Sequence, residues 1–171
     1  MISQPPRLTR ALLLVVLSLS GCGEHPSSAG LIQRWRDHRN ELEETLKMFL
    51  ADKELGRVAP TFTRPEDPST IGISAERIAR YRMLLSSAGI SDGIEGYGRK
   101  DDIWFRVSDR GLSISGSAKG IAWRTATPES PKILVDDLDA YLAKMFPGHH
   151  RSFTAYQRIE GNWYLYYDYE D

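Results

Sequence analysis

The chain holds a single cysteine, Cys22, in 171 residues, so no disulfide can brace it from within. It lacks an excess of positive charge: 22 Lys and Arg stand against 23 Asp and Glu, which argues against a nucleic-acid binder, whose surface needs a basic stripe. It has no apolar run of the roughly 20 residues that cross a bilayer. It has no glycine-flanked serine elbow, and Gly116 to Gly120 carries Lys119 without the spacing of a phosphate loop. Asp136-Asp137-Leu138-Asp139 lacks the glycine and terminal glutamate of a calcium loop, and serves a helix start instead. Internal repeats and low-complexity tracts are also missing.

What is present begins with a targeting signal. Arg7 and Arg10 precede a short apolar run, Ala11 to Leu19, which has neither the length of a membrane span nor the polar face of an amphipathic helix. No Ala-x-Ala site follows it; Leu19-Ser20-Gly21-Cys22 does. These four residues resemble the lipobox of bacterial lipoproteins, in which a small pair precedes an obligatory cysteine. The resemblance implies export, lipidation of the Cys22 sulfur, cleavage between Gly21 and Cys22, and acylation of the new amino terminus. One acyl chain holds a protein only marginally and two or more hold it stably. Gly23 stands where aspartate would signal inner-membrane retention in many Gram-negative species, which favours the outer membrane, facing the periplasm.

Three segments follow: a signal peptide over 1–21, a lipidated tether over 22–30 and one domain over 31–171. Removing the first 21 of 171 residues leaves 150, a usual size for a single domain. Arg7 and Arg10 leave with the signal, so Lys and Arg fall from 22 to 20 against 23 Asp and Glu. The mature part is mildly acidic. It resembles small uncharacterised lipoproteins and matches no family by name.

Within the domain, Trp35, Leu42, Leu46, Phe49 and Leu50 predict one long helix over 31–55. Three prolines make Val58 to Ser69 a loop. Ser74 caps a second helix with its apolar stripe on Ile78, Tyr81, Leu85 and Ala88, stopped at Gly89-Ile90. From Ser91 the period changes to two. Ile103, Phe105 and Val107 alternate with Trp104, Arg106 and Ser108, and a two-residue turn at Arg110-Gly111 sets Val107 opposite Ile114 and Arg106 opposite Ser115. The alternation slips before Ile121 and Trp123, which places a bulge or tight turn in Gly116 to Gly120. Thr125 to Lys132 reads as a loop. Leu138, Tyr141, Leu142 and Met145 mark a third helix. A closing hairpin around Glu160-Gly161-Asn162 sets Ile159 opposite Trp163, Gln157 opposite Leu165 and Ala155 opposite Tyr167. The expected fold is α+β: one antiparallel sheet of four or five strands with about three helices packed mainly on one face.

On the hairpin's other face, Tyr156 faces Tyr166, Arg158 faces Tyr164 and Thr154 faces Asp168. With helices on the opposite side these tyrosines meet solvent, and Tyr156, Arg158, Tyr164 and Tyr166 form the candidate partner-binding surface. The alternative is that the aromatic pairs only stabilise the sheet. His149-His150 have no third ligand at a recognisable spacing and read as exposed loop residues, so no metal is expected. Arg34, Arg36 and Arg39 are interspersed with acids on a solvated helix face. With Cys22 lipidated no reactive thiol is left, and no carboxylate pair has a context that separates its pKa values. No catalytic residue and no cofactor is therefore expected. The reading is a non-enzymatic, membrane-anchored lipoprotein that binds an envelope or toxin protein as an immunity, inhibitor or envelope-accessory domain. The alternatives are a small-molecule or lipid binder, with a cleft around Phe105, Trp163 and Leu165, and a cell-envelope hydrolase with two convergent carboxylates or a histidine-containing site in a groove.

Overall fold

Ser27 and Ser74 each start a helix, the hydroxyl accepting a backbone N–H from Gly30 and Arg77 respectively. The computed structural model describes residues 25–96, 100–112, 115–145 and 151–171. The lipobox, Cys22 and His149-His150 lie outside the described residues. Helix α1 (Ser28–Asp37) is followed directly by α2 (Arg39–Ala51). The single long helix predicted over 31–55 is thus broken at His38, which leaves helical geometry at φ −119°. The break redirects the chain: α1 lies on the sheet, whereas α2 packs against α3 (Ala75–Ser87). Gly89 ends α3 at φ 66°, with the Ile90 N–H donating to Leu85 O as a left-handed stop requires.

The sheet overturns the expectation of four or five antiparallel strands with about three helices. Among the described residues there are eight strands in one mixed sheet and four helices. The strands are β1 (Arg57–Val58), β2 (Thr63–Arg64), β3 (Gly93–Gly96), β4 (Asp102–Leu112), β5 (Ser115–Arg124), β6 (Ile133–Val135), β7 (Phe153–Glu160) and β8 (Trp163–Glu170), in the order β2-β1-β3-β4-β5-β8-β7-β6. The additional strands are short. β1 and β2 hide beside the prolines of Val58 to Ser69 and pair antiparallel, Val58 opposite Thr63. β6 runs parallel to β7, joined to it through α4 (Leu138–Met145). Runs of two or three residues carry no readable period, which is why the sequence hides them.

Two register expectations also change. Leu112, not Arg106, pairs with Ser115, so β4 and β5 continue past Arg110-Gly111. β5 is unbroken through Gly116 to Gly120, and the irregularity lies on β4 instead, between Arg106 and Ser108. The apparent slip in alternation arises because Ser117 and Lys119 occupy core-side positions with polar partners: Ser117 hydrogen-bonds His25, and Lys119 pairs with Asp139. The β7–β8 hairpin pairs as expected from Ala155↔Tyr167 to Arg158↔Tyr164, with a bulge at Ile159 that puts Glu160 opposite Trp163.

One face of the sheet carries the main core. Leu31, Trp35, Leu42, Phe49, Tyr81 and Leu85 from the helices meet Ile94, Ile103, Phe105, Ile121, Trp163 and Leu165 from the strands. Residues 25–30 are part of this unit rather than a tether, since α1 starts at Ser28 and the His25 ring stands edge-on to Tyr167 at 5.4 Å.

Candidate functional site

The opposite face of the sheet bears a second, smaller cluster: Trp104, Ala118, Ala122, Tyr156, Tyr164 and Tyr166, with no helix residue in it. Side-chain alternation brings these residues to one side. The tyrosines do not meet solvent, contrary to the sequence reading. Tyr156 is 0% exposed, Tyr164 2% and Tyr166 0%. Of the four candidate residues only Arg158 is exposed, and its guanidinium donates to Gly161 O at 3.0 Å, within its own turn.

Among the described residues no helix covers the tyrosines. Small residues on β5 (Ala118, Gly120, Ala122) leave room for the rings to lie on the sheet, and Trp104 stacks on Tyr166 at 4.6 Å. Long cations complete the cover: the Arg124 guanidinium lies 4.7 Å from the Tyr156 ring centroid and the Lys132 ammonium 5.8 Å. Both cations also pair with Asp102, which accepts from the Tyr156 hydroxyl at 3.1 Å. The stems bury ring surface while the charges meet a carboxylate.

Nearer the β4–β5 turn the same face opens into a groove of about 770 Å³. Glu95, Trp104, Arg106, Asp109, Arg110, Thr154, Asp168 and Glu170 line it. Glu95 sits in the middle of the sheet at 1% exposure, bound by Arg57 at 3.1 Å and Arg106 at 2.5 Å. Arg57 and Arg106 also reach Asp92, at 2.9 and 3.0 Å, and Arg106 holds Asp109 at 2.5 Å. Three carboxylates thus face two guanidiniums. Burial, and next the neighbouring Asp109, push Asp92 up to about 6 against the pull of Arg57 and Arg106. Across the groove, Asp168 accepts from the Thr154 hydroxyl at 2.7 Å. No cation stands within ion-pair distance of it among the described residues, and burial raises its pKa. Beneath them the Tyr166 hydroxyl is buried with no hydrogen-bond partner among the described residues. The groove has four carboxylates and two guanidiniums along its walls, with an indole in its floor. That arrangement suits a cationic group.

These groove residues escaped sequence reading in part. The alternation puts Trp104 and Arg106 on the side of β4 away from Ile103 and Phe105, and the hairpin register sets Thr154 opposite Asp168, as they are. The signal available was Glu95, a carboxylate enclosed by Gly93-Ile94 and Gly96 in a short strand that is buried throughout.

At the N-terminal end, His25 bridges Ser108 Oγ at 3.0 Å and Ser117 Oγ at 2.8 Å, one ring nitrogen donating and the other accepting. Burial, with Arg110 and Lys119 nearby, lowers its pKa to about 4, so the ring is neutral. Asp139 accepts from the Ser28 N–H at 2.7 Å and its hydroxyl at 2.8 Å while pairing with Lys119 at 2.5 Å. Burial alone would raise the Asp139 pKa, but these partners hold it below the ordinary value.

Phe105, Trp163 and Leu165 are packed in the core, and the apolar cavity of about 380 Å³ lies elsewhere, between α3 and β1–β3 at Ala59, Leu85 and Ile90. Among the described residues no group of three or more His, Cys, Asp or Glu could hold a metal ion, and no helix is long and apolar enough to cross a membrane. No family model, curated protein or solved structure matches the chain.

Proposed function

We propose that this protein is a lipoprotein of the bacterial cell envelope, anchored through Cys22 at the periplasmic face of the outer membrane, and that its helix-free sheet face binds another protein. The groove takes a basic side chain of that partner. The observation that carries this reading is Asp168, a half-buried carboxylate whose hydrogen-bond donor among the described residues is the neutral Thr154 hydroxyl, in a groove that also holds an indole. An arginine or lysine entering there gains a charge-assisted hydrogen bond of about 1.5–3 kcal/mol and contact with Trp104. The tyrosines of the hairpin act beneath this face as its support rather than as its contact surface.

The test is crosslinking affinity capture of the anchored protein in its own cells. One partner recovered with the parent and lost with Asp168→Asn supports the groove. A partner retained by that variant, and lost only when helix-side residues are changed, contradicts it. Anchoring is checked separately: Cys22→Ser should release the protein from membranes, and unchanged fractionation would remove the lipid anchor from the reading.

A further inference from the structure

The path of the N-terminal segment across the sheet is directional. Arg39, at the start of α2, pairs with Glu160 at 3.0 Å, and Trp35 meets Trp163 at 6.5 Å, both beside the β7–β8 turn. Trp163 pairs with Trp123 at that end of β5. Tracing the chain backwards, Ser28 is tied through Asp139 to Lys119, and His25 to Ser117 and Ser108. Each step moves along β5 towards the β4–β5 turn, and Trp123 to Ser117 covers about 20 Å of strand. Only Gly23 and Glu24 lie between Cys22 and His25, a reach of at most about 10 Å over three residue steps.

We propose that the β4–β5 end of the sheet faces the bilayer, with the β7–β8 turn pointing away from it. This rests on the Cys22 anchor proposed above. His25 fixes the orientation, because a chain clamped between two strands three residues from its anchor cannot let the domain tumble freely. The groove reaches the same end through Arg110, Gly111 and Gly116. A protein docked in it therefore lies close to the membrane surface.

Asp171 follows β8 at the proposed proximal end and Asn162 precedes it at the distal end; both are exposed. The eight residues of β8 lie between them, a separation of about 30 Å. The full-length lipidated protein, carrying Asp171→Cys or Asn162→Cys with a maleimide fluorophore, is reconstituted into phosphatidylethanolamine–phosphatidylglycerol vesicles containing a headgroup-nitroxide lipid. Quenching several-fold stronger at Asp171→Cys than at Asn162→Cys is expected. Equal or reversed quenching in protein that floats with the vesicles overturns the orientation and leaves the anchor standing. Parent protein that does not float with vesicles refutes the anchor, and the orientation with it.

Discussion

Replacing Asp92 by asparagine should leave stability nearly unchanged at about pH 4 and raise it by about 1.5 kcal/mol at about pH 7. Asp92 touches two arginines, at 2.9 and 3.0 Å, so removing its charge would ordinarily be destabilising. Burial and Asp109 nevertheless raise its pKa from 3.8 to about 6, which means that the folded protein holds the proton more tightly than the unfolded chain. The sign follows. Below 3.8 both states are protonated; as pH rises towards about 6 the unfolded chain ionises first and the fold loses stability. The full difference is worth at most about 3 kcal/mol. With the Asp92 side chain 32% exposed, water and salt screen this to about half. Urea unfolding of parent and Asp92→Asn across this pH range isolates the effect, because other titrations cancel in the difference. A variant less stable than the parent at neutral pH, or a difference independent of pH, would refute the account of three carboxylates sharing two guanidiniums.

Asp139→Ala should lower stability by about 3 kcal/mol, because it leaves Lys119 charged and buried without its counter-ion and removes the acceptor of Ser28. Adding Lys119→Met to it should restore much of the loss; a double variant as unstable as the single one would show that the orphaned charge is not the cause. Gly120→Ala places a Cβ 2.1 Å from Phe105 O, opposite the β4 bulge, and should cost about 3 kcal/mol or more or prevent folding. A normal urea midpoint for that variant would contradict the close strand approach.

The β7–β8 pairing was readable because alternation over eight residues leaves one register that keeps Ala155, Gln157 and Leu165 on the core side. The number of strands was not, since β1, β2 and β6 are too short to show a period and owe their existence to neighbours. Lys119 misled the reading of β5: a lysine at a core-side position looks like a break in pattern unless the Asp139 that neutralises it is known to be near. The tyrosine face was placed on the correct side of the sheet, but its exposure was misjudged. Burial there is produced by Trp104, Arg124 and Lys132, whose approach across strands no local pattern reveals. The groove carboxylates are scattered over β3, β4 and β8 and converge only through the strand order.

The most direct test of the groove is a titration of isotope-labelled protein carrying Cys22→Ser with arginine methyl ester, followed by amide and indole NMR signals. The Trp104 indole N–H, which donates to Asp102 at 2.9 Å in the floor of this face, is the reporter. Saturable shifts confined to Trp104, Thr154, Asp168 and their neighbours, and absent in Asp168→Asn, are what a cation-accepting groove predicts. Shifts that never saturate, persist in Asp168→Asn or map to the helix-covered side would contradict it.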